Sequence, residues 1–199
     1  MPEEKSATGG SAPFILNQKV VYPLQGVGQI LSITERAFKG KPTQYYQIFL
    51  PVTDMTVMIP VEKAVEIGIR AIVPAELAHE AFEIIASDFE PVTADWKMRY
   101  QMNLDHLKSG AITDIALVVR NLYHRSKVKE LPILERKLYD SAMKLLIDEI
   151  SFSLNISVSE VERQVHEKLE PLGKSPALMD SESEVEFEVE VAEEEDDEE

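Results

Sequence analysis

With 199 residues, 44% apolar and 28% charged, the chain has the size and composition of a globular protein of one or two domains. It contains no cysteine, which excludes disulfides, thiolate metal sites and cysteine nucleophiles. The formal net charge of −16 misleads as a surface property, because thirteen of the 36 acids fall between Asp180 and Glu199, where there is no Lys or Arg.

In chain order, Met1 to Ser11 carries Glu3 and Glu4 and no apolar run, so it does not read as a secretory signal. No apolar run reaches the roughly 18 residues a membrane span needs, and a soluble, cytoplasmic protein is expected. Residues 1–13 are expected to be disordered. Residues 14–70 carry short β-branched and aromatic runs. Lys19 to Tyr22 ends at Pro23, Gly28 to Thr34 follows, and Lys39-Gly40-Lys41-Pro42 is turn chemistry. Tyr45 to Leu50 and Met55 to Ile59 supply two further strands. Strands this short and close predict a small antiparallel barrel.

Beyond Pro60 the period lengthens. Val61 to Gly68 is expected as a short helix, and Pro74 suits a first helical residue ahead of Leu77, Ala81, Phe82, Ile84 and Ile85. Asp88 to Asp95, with Pro91, reads as a linker. Asp95 can cap a helix beginning at Trp96, with Tyr100, Asn103, Leu104 and Leu107 on one face and Ser109-Gly110 as its stop. Ile112 to Tyr123 marks the next helix, and Pro132 opens a longer one through Ile150. Ser159 and Glu162 form a capping-box pattern before Val165 and Leu169. The predicted class is therefore α+β: a β module over 14–70, an all-helical module over 71–172 and a disordered acidic tail over 173–199.

Enzyme chemistry has no positive support in the sequence. The four histidines (His79, His106, His124 and His166) fall in separate predicted helices without metal-ligand spacing, so no metal and no cofactor are expected. Gly26-Val27-Gly28 lacks the rest of a dinucleotide fingerprint, and no nucleophile elbow occurs.

The charge reverses in one window. Residues 96–144 hold ten Lys/Arg against five acids, opening on Trp96, the only tryptophan. A large flat aromatic beside cations can press against a base step while the cations hold phosphates. It can equally anchor a helix in the core. Composition leaves both readings open.

Val20-Val21-Tyr22-Pro23 with Gly26-Val27-Gly28, then Ile33-Thr34-Glu35-Arg36, Tyr45-Tyr46 and Thr56-Val57-Met58-Ile59-Pro60, resembles the start of a CarD-like transcription regulator. The second half agrees: Asp95-Trp96-Lys97-Met98-Arg99-Tyr100, Asn103-Leu104, Lys108-Ser109-Gly110 and Val118-Val119-Arg120-Asn121-Leu122 follow in order. The resemblance covers about residues 14–170, and its strength lies in the order and spacing of motifs that are weak singly. It implies a Tudor-like barrel that binds the RNA polymerase β subunit, and a helical domain that contacts promoter DNA and supports open-complex formation.

By the same resemblance, Trp96 matches a tryptophan that wedges into the minor groove, with Lys97 and Arg99 as the nearest phosphate contacts. Arg36 matches an arginine of the polymerase interface, where Thr56 and Met58 also fall. A second family arginine would stand at Met58, and Gln101 replaces a position that is often basic. Both departures bear on affinity. The implied protein is a monomeric, non-enzymatic regulator with little DNA sequence preference. The rival reading is a protein-interaction adaptor that never touches DNA.

Overall fold

The computed structural model describes residues 13–38, 40–88 and 95–170. The acidic tail, the N-terminal segment up to residue 12 and most of the Asp88–Asp95 linker lie outside the described residues.

Five antiparallel strands form one sheet: β1 (Lys19–Tyr22), β2 (Gly26–Phe38), β3 (Lys41–Leu50), β4 (Met55–Pro60) and β5 (Arg70–Ala71), in the order β4-β3-β2-β1-β5. Alternation sets its two faces. Along β3, Tyr46, Ile48 and Leu50 are buried while Tyr45, Gln47 and Phe49 are half-buried, as period-2 side chains require. Val20, Ile30 and Ile59 join the buried face, and Phe14 closes it. The Phe14 amide donates to Tyr46 Oη at 3.0 Å, and that hydroxyl donates back to the Phe14 carbonyl at 3.2 Å. Gly28 is dictated by close approach. A Cβ there would lie 2.8 Å from Ile48 Cγ2 and 3.0 Å from the Phe49 carbonyl oxygen.

The expected barrel is an open sheet. Among the described residues no ladder joins the two edge strands, β4 and β5. The local chemistry accounts for this: β5 is two residues long and runs into Pro74, while β4 ends on Pro60, and neither proline has an N–H to extend a ladder. β5 itself is an addition to the four strands expected. Val61 to Gly68 is also shorter in helix than expected. Only Val61–Lys63 forms a 3-10 turn, and the chain then turns through Gly68.

Five helices follow: α1 (Ala75–Ala86), α2 (Trp96–Ser109), α3 (Ile112–Val128), α4 (Ile133–Leu154) and α5 (Val158–Leu169). Their apolar stripes meet in one core that includes Phe82, Leu107, Val119, Leu122, Leu146 and Val165. Burying each such side chain is worth roughly 1.5–3 kcal/mol, so this core outweighs the weak intrinsic propensity of β-branched α3. The cap of α5 lies two residues earlier than the Ser159–Glu162 pattern. Asn155 takes a left-handed conformation that ends α4, and Ser157 then accepts from the Glu160 amide at 3.2 Å.

The modules are locked together near residue 70. The Arg70 guanidinium grips the buried Glu149 carboxylate of α4 with both terminal nitrogens, Nη2 to Oε2 at 2.8 Å, and its Nε donates to the Gly110 carbonyl at 3.0 Å. Glu149 also accepts from the Val73 amide at 3.2 Å. Gly110 is the left-handed cap that ends α2, so one residue both stops that helix and receives the β module.

Candidate functional site

Asp95 caps α2, its carboxylate accepting from the Lys97 amide at 2.9 Å, and so fixes where the first turn begins. Trp96 is the first residue of that turn and is 44% exposed. Lys97 is exposed, with Nζ 5.9 Å from the indole centroid, within cation–π range.

Arg99 is placed differently from the surface cation expected for a phosphate contact. It is 7% exposed and bonds Glu135, itself fully buried, through Nε at 2.8 Å and Nη2 at 3.0 Å. The reason is helical geometry: Arg99 stands four residues before Asn103 and eight before Leu107, on the buried stripe of α2. That spacing is legible in the sequence. The partner, 36 residues away on α4, is not.

The bidentate pair ties the first turn of α2 to the first turn of α4. Arg125, near the end of α3, lies against the same pair. Burial lowers its guanidinium affinity for protons first, the Arg99 charge lowers it further and Glu135 opposes both. Three helix ends therefore converge here, two of them N-termini with partial positive charge. Exposed Lys127, Lys129 and Arg136 add cations. The His124 imidazole is pushed down by burial first and then by the charges of Arg120 and Lys127. Large exposed apolar side chains share this end: Met98, Val128, Ile133 and Leu134. The sequence reading named Met98 only within a family motif and the other three not at all, and only their position beside charged residues outside the core stripes could have flagged them. Gln101 is exposed and donates to Asp105 at 2.7 Å.

The other candidates fall on the sheet. Register pairs Arg36 with Thr43, Thr56 with Phe49 and Met58 with Gln47. Directly opposed residues share a face, and Thr43, Gln47 and Phe49 lie on the side of β3 opposite Tyr46 and Ile48. Arg36, Thr56 and Met58 therefore share the face turned away from the sheet core, although 20 residues of chain separate the first two. Arg36 and Thr56 are exposed, and Met58 is 37% exposed. Thr56 and Met58 also lie on β4, whose outer edge pairs with no strand among the described residues.

Among the described residues no three His, Cys, Asp or Glu side chains gather as a metal site, and no helix is long and apolar enough to cross a membrane. His106 faces Asp114 at 3.2 Å, and His166 Nδ1 lies 2.8 Å from the Glu162 carbonyl oxygen.

A small antiparallel sheet with an open edge, joined through Arg70 to a helical module whose basic end exposes Trp96, fits the two-module regulator that the sequence motifs resemble. The comparisons agree. Residues 14–73 match the CarD-like/TRCF RID domain and residues 80–166 match the CarD C-terminal domain. The chain is also 33% identical, over 148 residues, to YdeB, a proposed transcription factor of Bacillus subtilis strain 168, covering 74% of this chain and 97% of the relative. The protein belongs to the CarD-like family of transcription regulators. The RID domain implies an interaction with RNA polymerase.

Proposed function

We propose that this regulator joins RNA polymerase to promoter DNA, holding the β subunit with its sheet module and stabilising the open complex with its helical end. The observation that carries the reading is the exposed Trp96 indole at the start of α2, with Lys97 Nζ 5.9 Å from its ring, on a first turn that Arg99 ties to Glu135 of α4. An indole that fills a deformed minor groove contacts only the distorted duplex and shifts the equilibrium toward it, with little need of base readout. Lys97 and its neighbours hold phosphates nearby. Arg99 acts indirectly, by fixing the turn from which Trp96 projects.

At the other module, the free edge of β4 suits strand addition, with Thr56, Met58 and Arg36 supplying side-chain contacts on the outer face. Met58 offers apolar area where the family has an arginine. Tethering through this edge raises the local concentration of a weakly binding helical end. The protein acts as a monomer, in the cytoplasm, without cofactor or catalysis.

Met98, Ile133 and Leu134 favour a second reading, in which the helical end receives a protein rather than DNA, because exposed apolar clusters mark protein contacts. Trp96→Ala separates the two. With purified polymerase and a promoter duplex, polymerase binding is retained and promoter opening falls; unchanged opening would remove DNA from the mechanism.

A further inference from the structure

The chain leaves the helical module on the basic end itself. Glu170, the residue after α5, is held by Lys127 Nζ at 2.6 Å and accepts from the Tyr123 hydroxyl. Those bonds keep its carboxylate below the usual range, the Lys127 contact being the larger cause. Twenty-nine residues follow, and thirteen acids without a Lys or Arg begin ten residues on, at Asp180. Ten extended residues reach at most about 33–36 Å, ample to return to Lys97, Lys129 or Arg136.

We infer that the acidic segment Asp180–Glu199 docks intramolecularly on the basic end formed by Lys97, Arg125, Lys127, Lys129 and Arg136, and occupies it as a polyanion in place of nucleic acid. Charge complementarity and the point of exit carry the assignment. The chain leaves the bundle where the cations are concentrated, with the Glu170 carboxylate already on Lys127, ten residues before the acidic segment begins. A short tether supplies an effective concentration on the order of millimolar, so weak individual attractions suffice. The docking does not depend on DNA binding, but its regulatory consequence rests on the function proposed above. If the tail covers the end nine-tenths of the time, apparent affinity for duplex is about tenfold weaker than that of the uncovered end.

The composition makes the test clean, since the chain has one tryptophan and no cysteine. Full-length Phe187→Cys, labelled with a dansyl acceptor, reports the approach of the tail to Trp96 by energy transfer. Strong transfer at low salt that collapses at about 1 M salt, where the Debye length is about 3 Å, supports docking, as does loss of transfer in a Lys127→Glu/Lys129→Glu background. Transfer insensitive to both overturns it, and transfer that rises with protein concentration overturns the intramolecular form. A second variant, with the thirteen tail acids changed to Asn and Gln, is titrated with a promoter duplex. Tighter binding supports the regulatory consequence. A docked tail that duplex fails to displace leaves the docking intact and removes the DNA reading.

Discussion

The two modules solve opposite problems with charge. The sheet module keeps its core apolar apart from the Tyr46 hydroxyl, and displays Arg36, Thr56 and Met58 on a face and edge set by strand alternation alone. The helical module buries Arg99 with Glu135, which fixes where helix ends sit, and buries Glu149, which receives Arg70 from the sheet module. A strand face is positioned by its own ladder. The start of a helix can pivot unless something across the bundle holds it, and a bidentate guanidinium–carboxylate pair does this with defined geometry. Position on the sheet is thus local, whereas position at the helical end is borrowed from distant residues.

The sharpest way to break this comparison is to remove half of a buried pair. Arg99→Ala leaves the Glu135 carboxylate buried without its cation and should cost about 3–5 kcal/mol of stability, read as a lowered denaturant midpoint. Arg99→Met/Glu135→Leu should recover much of that stability but not promoter opening, because the directional tie to α2 is lost. If the double variant opens promoters normally, the positioning role is wrong.

On the sheet, Gly28→Ala forces a Cβ against Ile48 and the Phe49 carbonyl and should cost about 1–3 kcal/mol by overpacking. The polymerase pull-down should weaken in parallel at temperatures near the shifted melting transition. The outer face should behave in the reverse manner. Arg36→Glu and Met58→Asp should change thermal stability by no more than about 0.5 kcal/mol, yet reduce polymerase capture. A large loss of stability would show that these side chains serve the sheet rather than a partner.

Smaller effects sharpen the helical side. Asp95→Ala removes the cap before Trp96 and should cost about 1 kcal/mol, with increased acrylamide quenching of the single tryptophan as the first turn frays. His124 gives a pH signature. Its folded pKa is depressed, so the unfolded chain takes the proton first as pH falls. Its contribution is therefore present above the ordinary histidine range and lost below it. His124→Gln should flatten the stability profile there, in a denaturation series from pH 8 to 5.

Much of this was open to reading along the chain. Pro74, Asp95, Gly110 and Pro132 mark helix ends at or beside their observed places, because caps and breakers act within a few residues. The strand runs and the helical stripes are likewise local patterns. The Ser157 cap was missed for a similarly local reason: two serines two residues apart both precede a glutamate at the capping spacing, and only the left-handed Asn155 decides between them.

What the chain by itself determined was the sequence of elements, the two-module division, the charge reversal around Trp96 and the family motifs, all of which depend on near neighbours or on composition. Only the tertiary structure decided that the sheet stays open, that Arg99 turns inward to Glu135, that three helix ends meet beside Trp96, and that Glu170 leaves the bundle against Lys127. Each of these depends on which surfaces meet across tens of residues. A side chain of fixed charge becomes an internal tie or an external contact according to what packs above it, and no local pattern carries that information.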